Sequence, residues 1–175
     1  MTDAADLAVR SRVIIGAIGG FAATVAMTAT MNWLHRRLPA AERYPLPPRE
    51  ITEQFLPQLK SDETIKDAAT VAHHAYGAAT GALIAAAAPR IGPLRGAAAG
   101  AAIWAASYLG WVPATRALRG ARAHPARRNG LMIAAHLVWG ALTALSIREL
   151  VDARATTLRA GPVRDAGASS ADGDR

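Results

Sequence analysis

Four stretches of the chain carry no formally charged residue: 13–34, 68–89, 96–115 and 129–147, of 22, 22, 20 and 19 residues. Nearly every Asp, Glu, Lys and Arg lies between or outside them. A helix needs roughly 20 apolar residues to cross a hydrocarbon core. The pattern therefore predicts four membrane-spanning helices, at about 13–34, 68–88, 96–114 and 129–148. A soluble Ala-rich bundle would need a charged face on each helix to meet water, and these runs have none. The predicted fold class is all-α: an integral-membrane four-helix bundle occupying residues 13–152. A polar N-terminus, 1–12, precedes it. The tail from 153 to 175, rich in Ala, Arg, Asp, Gly and Ser, has too little apolar surface to fold.

Within the runs, the informative residues fall on single helical faces. His73, Tyr76, Gly77, Thr80, Gly81 and Ile84 are spaced i, i+3, i+4, i+7, i+8, i+11. The same stripe returns 63 residues later as His136, Trp139, Gly140, Thr143, Ala144 and Ile147. The first run places Gly16, Gly20, Thr24, Thr28 and Asn32 at strict i+4 spacing. The third opens with Gly96-x-x-x-Gly100 and continues through Trp104, Ser107, Tyr108 and Trp111. Small residues let helix backbones approach closely, so Gly16, Gly20, Gly77, Gly81, Gly96, Gly100 and Gly140 are candidate packing positions. Helix one maps onto helix three with an offset near 80, which suggests two copies of one helical hairpin related by an axis along the membrane normal.

The connections add detail. His35-Arg36-Arg37 after the first run reads as a stop-transfer flank, so a retained helix is favoured over a cleaved signal peptide. Tyr44-Pro45-Leu46-Pro47-Pro48 reads as extended. Arg49 to Leu56 reads as a short amphipathic helix with Ile51, Phe55 and Leu56 on its apolar side, lying in the interface or capping the bundle. Thr64-x-x-Asp67 resembles a capping box for the second long helix. Pro89 to Arg95 is a tight turn, which makes helices two and three antiparallel neighbours. The acid-free basic loop after Pro113 favours a topology with loops one and three in the cytoplasm.

A net charge of +7 and a pI near 11.0 would also suit a nucleic-acid binder. The basic residues flank the apolar runs, however, and no zinc-finger or RNA-binding pattern accompanies them. The predicted partner is the lipid bilayer, with no nucleic acid. Thin, Ala-rich helices also leave small-residue faces that could pair with a second copy as a homo-oligomer. Without Cys, disulfides, thiolate metal sites and Cys nucleophiles are excluded.

The polar residues of the spans gather in the half facing loops one and three. His73, Tyr76, Thr80, His136, Trp139, Thr143, Thr28 and Asn32 are the candidate pocket residues. The bland interpretation is helix packing, with hydroxyls and imidazoles worth on the order of 1 kcal/mol per contact. The functional one is a small-solute or ion pathway, or a ligand pocket. No span holds Asp or Glu, which argues against a carboxylate-based coupling site. His73 and His136 could ligate haem iron as a pair. His73, His74 and His136 could supply three zinc ligands, although adjacent histidines on a helix diverge. Ser107 has no identifiable carboxylate orienter for nucleophilic catalysis. The expectation is a non-enzymatic, structural or accessory protein with no catalytic residue, cofactor or metal.

Four short motifs carry a family resemblance. Leu46-Pro47-Pro48-Arg49-Glu50-Ile51-Thr52, His73-His74-Ala75-Tyr76-Gly77, Gly110-Trp111-Val112-Pro113-Ala114 and His136-Leu137-Val138-Trp139-Gly140 resemble those of the YagU-like family of small bacterial inner-membrane proteins. The resemblance covers roughly residues 13–150. It implies a small helical inner-membrane protein and transfers no catalytic residue.

Overall fold

A computed structural model describes residues 7–116, 118 and 120–158, and these residues form helices and connections without any strand. The long helices are α1 (Val9–His35), α3 (Asp62–Ala87) and α5 (Ala126–Ala155), with a short α2 (Pro47–Phe55) between the first two. Helix α4 (Pro93–Ala106) passes through a π-type turn, Ser107–Trp111, into a last turn at Val112–Ala114.

Local sequence explains most boundaries. Helices α2 and α4 each start on proline, whose missing N–H and fixed φ suit the first helical position. Helix α3 starts a full turn before the predicted capping box. Asp62 and Glu63 occupy its first turn, where the helix dipole favours negative charge, and Thr64 and Asp67 lie inside it. Helix α4 is followed by Arg116 at φ 57°, a left-handed residue that turns the chain. The helices overrun the uncharged runs, α1 from Val9 and α5 to Ala155. The predicted unfolded tail thus begins inside α5, and its remainder, 159–175, lies outside the described residues.

The helices pack in the order α3–α1–α5–α4, with α2 laid against α3. Helices α3 and α4, although joined by a short turn, do not pack backbone to backbone along their lengths. The predicted neighbours are instead bridged by side chains across a cleft. Two small-residue crossings hold the bundle. A Cβ at Gly20 would meet Gly81 Cα at 2.9 Å, and one at Gly77 would meet the Gly20 carbonyl oxygen at 3.2 Å. A Cβ at Gly140 would lie 2.9 Å from Gly100 N, and one at Gly100 would lie 3.2 Å from Gly140 Cα. Gly16 and Gly96 close the two crossings against Ala85 and Ala144.

These crossings repeat, but not in the predicted register. Gly16 and Gly20 correspond to Gly96 and Gly100, and their partner Gly81 corresponds to Gly140. The packing equivalence is therefore one helical turn short of the 63-residue sequence offset. It makes His136 the counterpart of Gly77, so His73 and His136 are not structural equivalents. The two hairpins also differ in surroundings. Helix α5 lies between α1 and α4, and all six residues of its stripe are buried; of the α3 stripe only Gly77 and Gly81 are.

The main core joins Ala23, Met27 and Met31 of α1 to Leu131, Met132, Ala135 and Trp139 of α5, sealed by Leu38 from the first loop. A smaller one at the opposite end joins Ile15, Ala85 and Ile147. Helices α1 and α5 are long and apolar enough to cross a membrane. Helix α3 is long, but its paired histidines, Tyr76, threonines and glycines dilute its hydropathy, and the regular part of α4 has 14 residues.

Candidate functional site

A cavity of about 290 Å³ opens at the end of the bundle where α1 and α4 finish and α3 and α5 begin. It occupies the space between α3 and α4, since those helices stand apart. Residues of all five helices wall it, with Met27, Ile103 and Met132 among its apolar lining. Pro47, Pro48, Ile51, Thr52 and Phe55 of α2 form one side, so the amphipathic helix faces the cavity through Ile51 and Phe55. Leu56, predicted for the same side, is exposed.

Of the candidate pocket residues, His73, Tyr76, Thr80, His136 and Trp139 line this cavity. Thr143 does not: it is fully buried where α1 crosses α5, with its Oγ1 unpartnered within the protein. Thr28 and Asn32 lie beside a separate recess of about 200 Å³, which His73 and His74 also border. The i+4 row of α1 thus continues past the cavity to a recess bordered by Pro48 and Arg49 of α2.

The polar atoms are ordered by hydrogen bonds. Tyr76 OH and Ser107 Oγ, 2.9 Å apart, bridge α3 to the π-type turn, and the Tyr76 ring stands 6.2 Å from Trp111. His136 Nδ1 lies 2.7 Å from the Met132 carbonyl oxygen. A carbonyl only accepts, so in the neutral imidazole Nδ1 carries the hydrogen and Nε2 is a bare acceptor. His73 Nε2 is buried with no partner within the protein. Trp139 Nε1 donates to the Gly20 carbonyl at 3.1 Å, and Thr24 Oγ1 donates to the same oxygen at 2.7 Å. The tight α1–α3 crossing, the α1–α5 contact and the cavity wall thus meet at one residue.

His73 and His136 share the cavity wall, as a bis-imidazole site requires. His74 turns away, its Nδ1 bonded to the Thr70 carbonyl and its ring 5.0 Å from Phe21. Among the described residues no three His, Cys, Asp or Glu converge as metal ligands, so the three histidines weighed for zinc do not form a site.

Comparison with known protein families, curated proteins and solved structures finds no match to this chain.

Above the cavity, one residue outside the predicted set ties the loops together. Arg128, only 4% exposed, donates through Nη1 to the Glu42 and Tyr44 carbonyls at 2.9 Å and through Nη2 to Pro45 at 2.7 Å. Its guanidinium lies 3.4 Å from the Tyr44 ring centroid, a cation–π contact. Tyr44 OH in turn bonds His124 Nδ1 at 2.8 Å. A cation in the first turn of a helix is disfavoured by the dipole. That was the available signal that Arg128 has a partner other than solvent. Nearby, burial pushes the Glu50 carboxyl above its ordinary range, opposed by the positive charge of Arg128 and His124.

Helix α2 is pinned at its outer side. Arg49 bonds Glu53 at 2.8 Å and Asp62, at the start of α3, at 2.7 Å. Lys66 and Arg49, in that order, hold the Asp62 carboxyl below its usual value.

Proposed function

We propose that this chain is a multi-pass protein of the bacterial inner membrane that binds a small, lipid-soluble ligand without transforming it. Its cavity carries this reading: an apolar chamber of about 290 Å³ walled by all five helices, with imidazole nitrogens that have no partner within the protein. Small-molecule sites are typically concave, mostly apolar and furnished with a few placed polar groups.

Several observations support the membrane setting. Only 39% and 44% of the apolar windows of α1 and α5 are buried, whereas a core helix of a soluble protein is mostly buried. Large apolar side chains face outward on all four bundle helices: Ile18 and Phe21 on α1, Val71 and Leu83 on α3, Leu94 on α4 and Leu145 on α5. So extensive an apolar exterior calls for an apolar surround. The YagU-like motifs point the same way. Ser107 bonds a tyrosine hydroxyl rather than a base, which fits a binding role better than a nucleophilic one.

Two measurements test this together. The chain should remain in the pellet of alkaline-carbonate-washed bacterial membranes. Detergent-purified protein should bind an apolar probe such as 4-decylanisole, followed by Trp fluorescence, and Ile103→Trp should block binding by filling the chamber. Release by carbonate, or binding unaffected by the filled cavity, refutes the proposal.

A further inference from the structure

We infer that the cavity is built for the ring of a neutral, lipid-soluble phenol, whose hydroxyl donates a hydrogen bond to His136 Nε2. This rests on the ligand-binding function proposed above and assigns the ligand's chemical class.

Neutrality follows from the wall, which holds no Asp, Glu, Lys or Arg. A charged headgroup would enter with no counter-charge, and an unpaired buried charge is strongly disfavoured. The hydroxyl follows from the acceptor at His136; His73 Nε2, also in the wall, is the other imidazole nitrogen with no partner within the protein and can pair with the same hydroxyl. Thr24, Thr52, Thr80 and Trp139 each donate to a backbone carbonyl, as does His136 through Nδ1. His136 is 9% exposed and keeps an acceptor at Nε2 with no partner within the protein. A ligand that offers only lone pairs leaves this cavity-lining nitrogen without a donor, whereas an O–H supplies one. The hydroxyl oxygen then accepts from the Tyr76–Ser107 pair, which has one hydroxyl hydrogen beyond the bond between them.

The ring follows from composition and size. Five of the nine aromatic side chains line this one cavity: Phe55, Tyr76, Tyr108, Trp111 and Trp139. Aromatic walls favour stacked or edge-on flat partners. The volume lies at the lower bound of small-ligand sites, ~300–1,000 Å³, and suits one substituted ring rather than a whole lipid. An alkyl or prenyl tail would leave through the mouth, where Phe55, Tyr76 and Trp111 are 51%, 41% and 40% exposed. That mouth lies beside the gap between α3 and α4, so ligand exchange would occur sideways with the bilayer.

The decisive comparison uses 4-decylphenol and its methyl ether, 4-decylanisole, on the full chain in detergent, read by Trp fluorescence or calorimetry. The two probes share ring and tail and differ in the donor. The phenol should bind at least about tenfold tighter, a difference of about 1.4 kcal/mol. His136→Phe, which keeps a ring and removes Nε2, should equalise the two, with folding verified by circular dichroism. If that variant fails to fold, the affinity ratio on the unsubstituted protein decides alone. Equal affinities there overturn the assignment of ligand class and leave the cavity's binding role standing. Absence of binding by either probe overturns both.

Discussion

Replacing Gly81 with Ala tests the crossing on which the site is built. The new methyl would lie 2.7 Å from Gly20 Cα and 3.0 Å from Gly20 N, with the Gly16 carbonyl oxygen closer still. Non-bonded carbons settle at about 3.5–4.0 Å, so α1 and α3 would have to separate by roughly 1 Å. Backbone atoms cannot rotate aside, and overpacking of this kind costs about 1–3 kcal/mol. Against it stands the helix preference of Ala over Gly, about 1 kcal/mol. The expected net loss is about 0–2 kcal/mol. Gly130, in α5, provides the internal control, because a Cβ there would meet nothing within 4 Å. Gly130→Ala carries only the propensity gain and should stabilise by about 0.5–1 kcal/mol. Gly140→Ala, whose Cβ would sit 2.9 Å from Gly100 N, should resemble Gly81→Ala. The two should add within about 0.5 kcal/mol, since they disturb different crossings. Unfolding in detergent micelles, followed by far-UV circular dichroism, gives all three values. If Gly81→Ala shifts stability in the same direction as Gly130→Ala, the close approach of α1 and α3 is wrong.

Other perturbations probe other layers of the structure. Arg128→Lys keeps the charge but cannot reach three carbonyls with a planar fork. It should cost about 2–3 kcal/mol in the same unfolding assay, and a change below about 0.5 kcal/mol would rule out the clasp. Trp139→Phe removes the bond to the Gly20 carbonyl while keeping most of the packing, with an expected loss of about 1 kcal/mol. The Arg49–Asp62 tie should weaken in acid. Asp62 titrates below its ordinary 3.8, so its contribution is complete above that value and is lost as pH falls through the lower folded one. A spin label at Gln54 should gain mobility over that range, and Asp62→Asn should remove the pH step. A label equally mobile at neutral and acidic pH would show that the tie does not restrain α2.

The helices were legible in the sequence because each uncharged run is bounded by charge, proline or glycine. Pro47, Pro93 and Pro113 mark boundaries through covalent geometry, which needs no tertiary partner. The short α2 was legible from Ile51 and Phe55, whose spacing demands an apolar neighbour. The glycine rows were likewise visible, since a small residue at every fourth position has meaning only where another backbone comes close. Less of the site could be read. His73, Tyr76, Thr80, His136 and Trp139 were singled out from their stripes, but Thr143 sits in the equivalent row and faces α1 instead. Arg128 shares its first-turn position with Arg127, so the dipole argument flagged a pair rather than one residue, and no local pattern announced three carbonyl partners at sequence distances of 83 to 86 residues.

By itself, the order of residues determined where the helices lie and which residues share a face, because these depend on spacing of 3.6 residues per turn and on local breakers; their ends ran past the uncharged runs, to Val9 in α1, Asp62 in α3 and Ala155 in α5. It did not determine which faces meet. Only the tertiary structure decided that α5 is enclosed on two sides while α3 is not, that α3 and α4 stand apart, and that the glycine crossings differ by one turn from the sequence repeat. Glycine rows permit sliding by a whole turn, since successive small residues offer nearly the same groove. The register is then chosen by bulkier contacts, such as Trp139 on the Gly20 carbonyl and the loop clasp of Arg128. The cavity is what remains between α3 and α4 once those contacts are made.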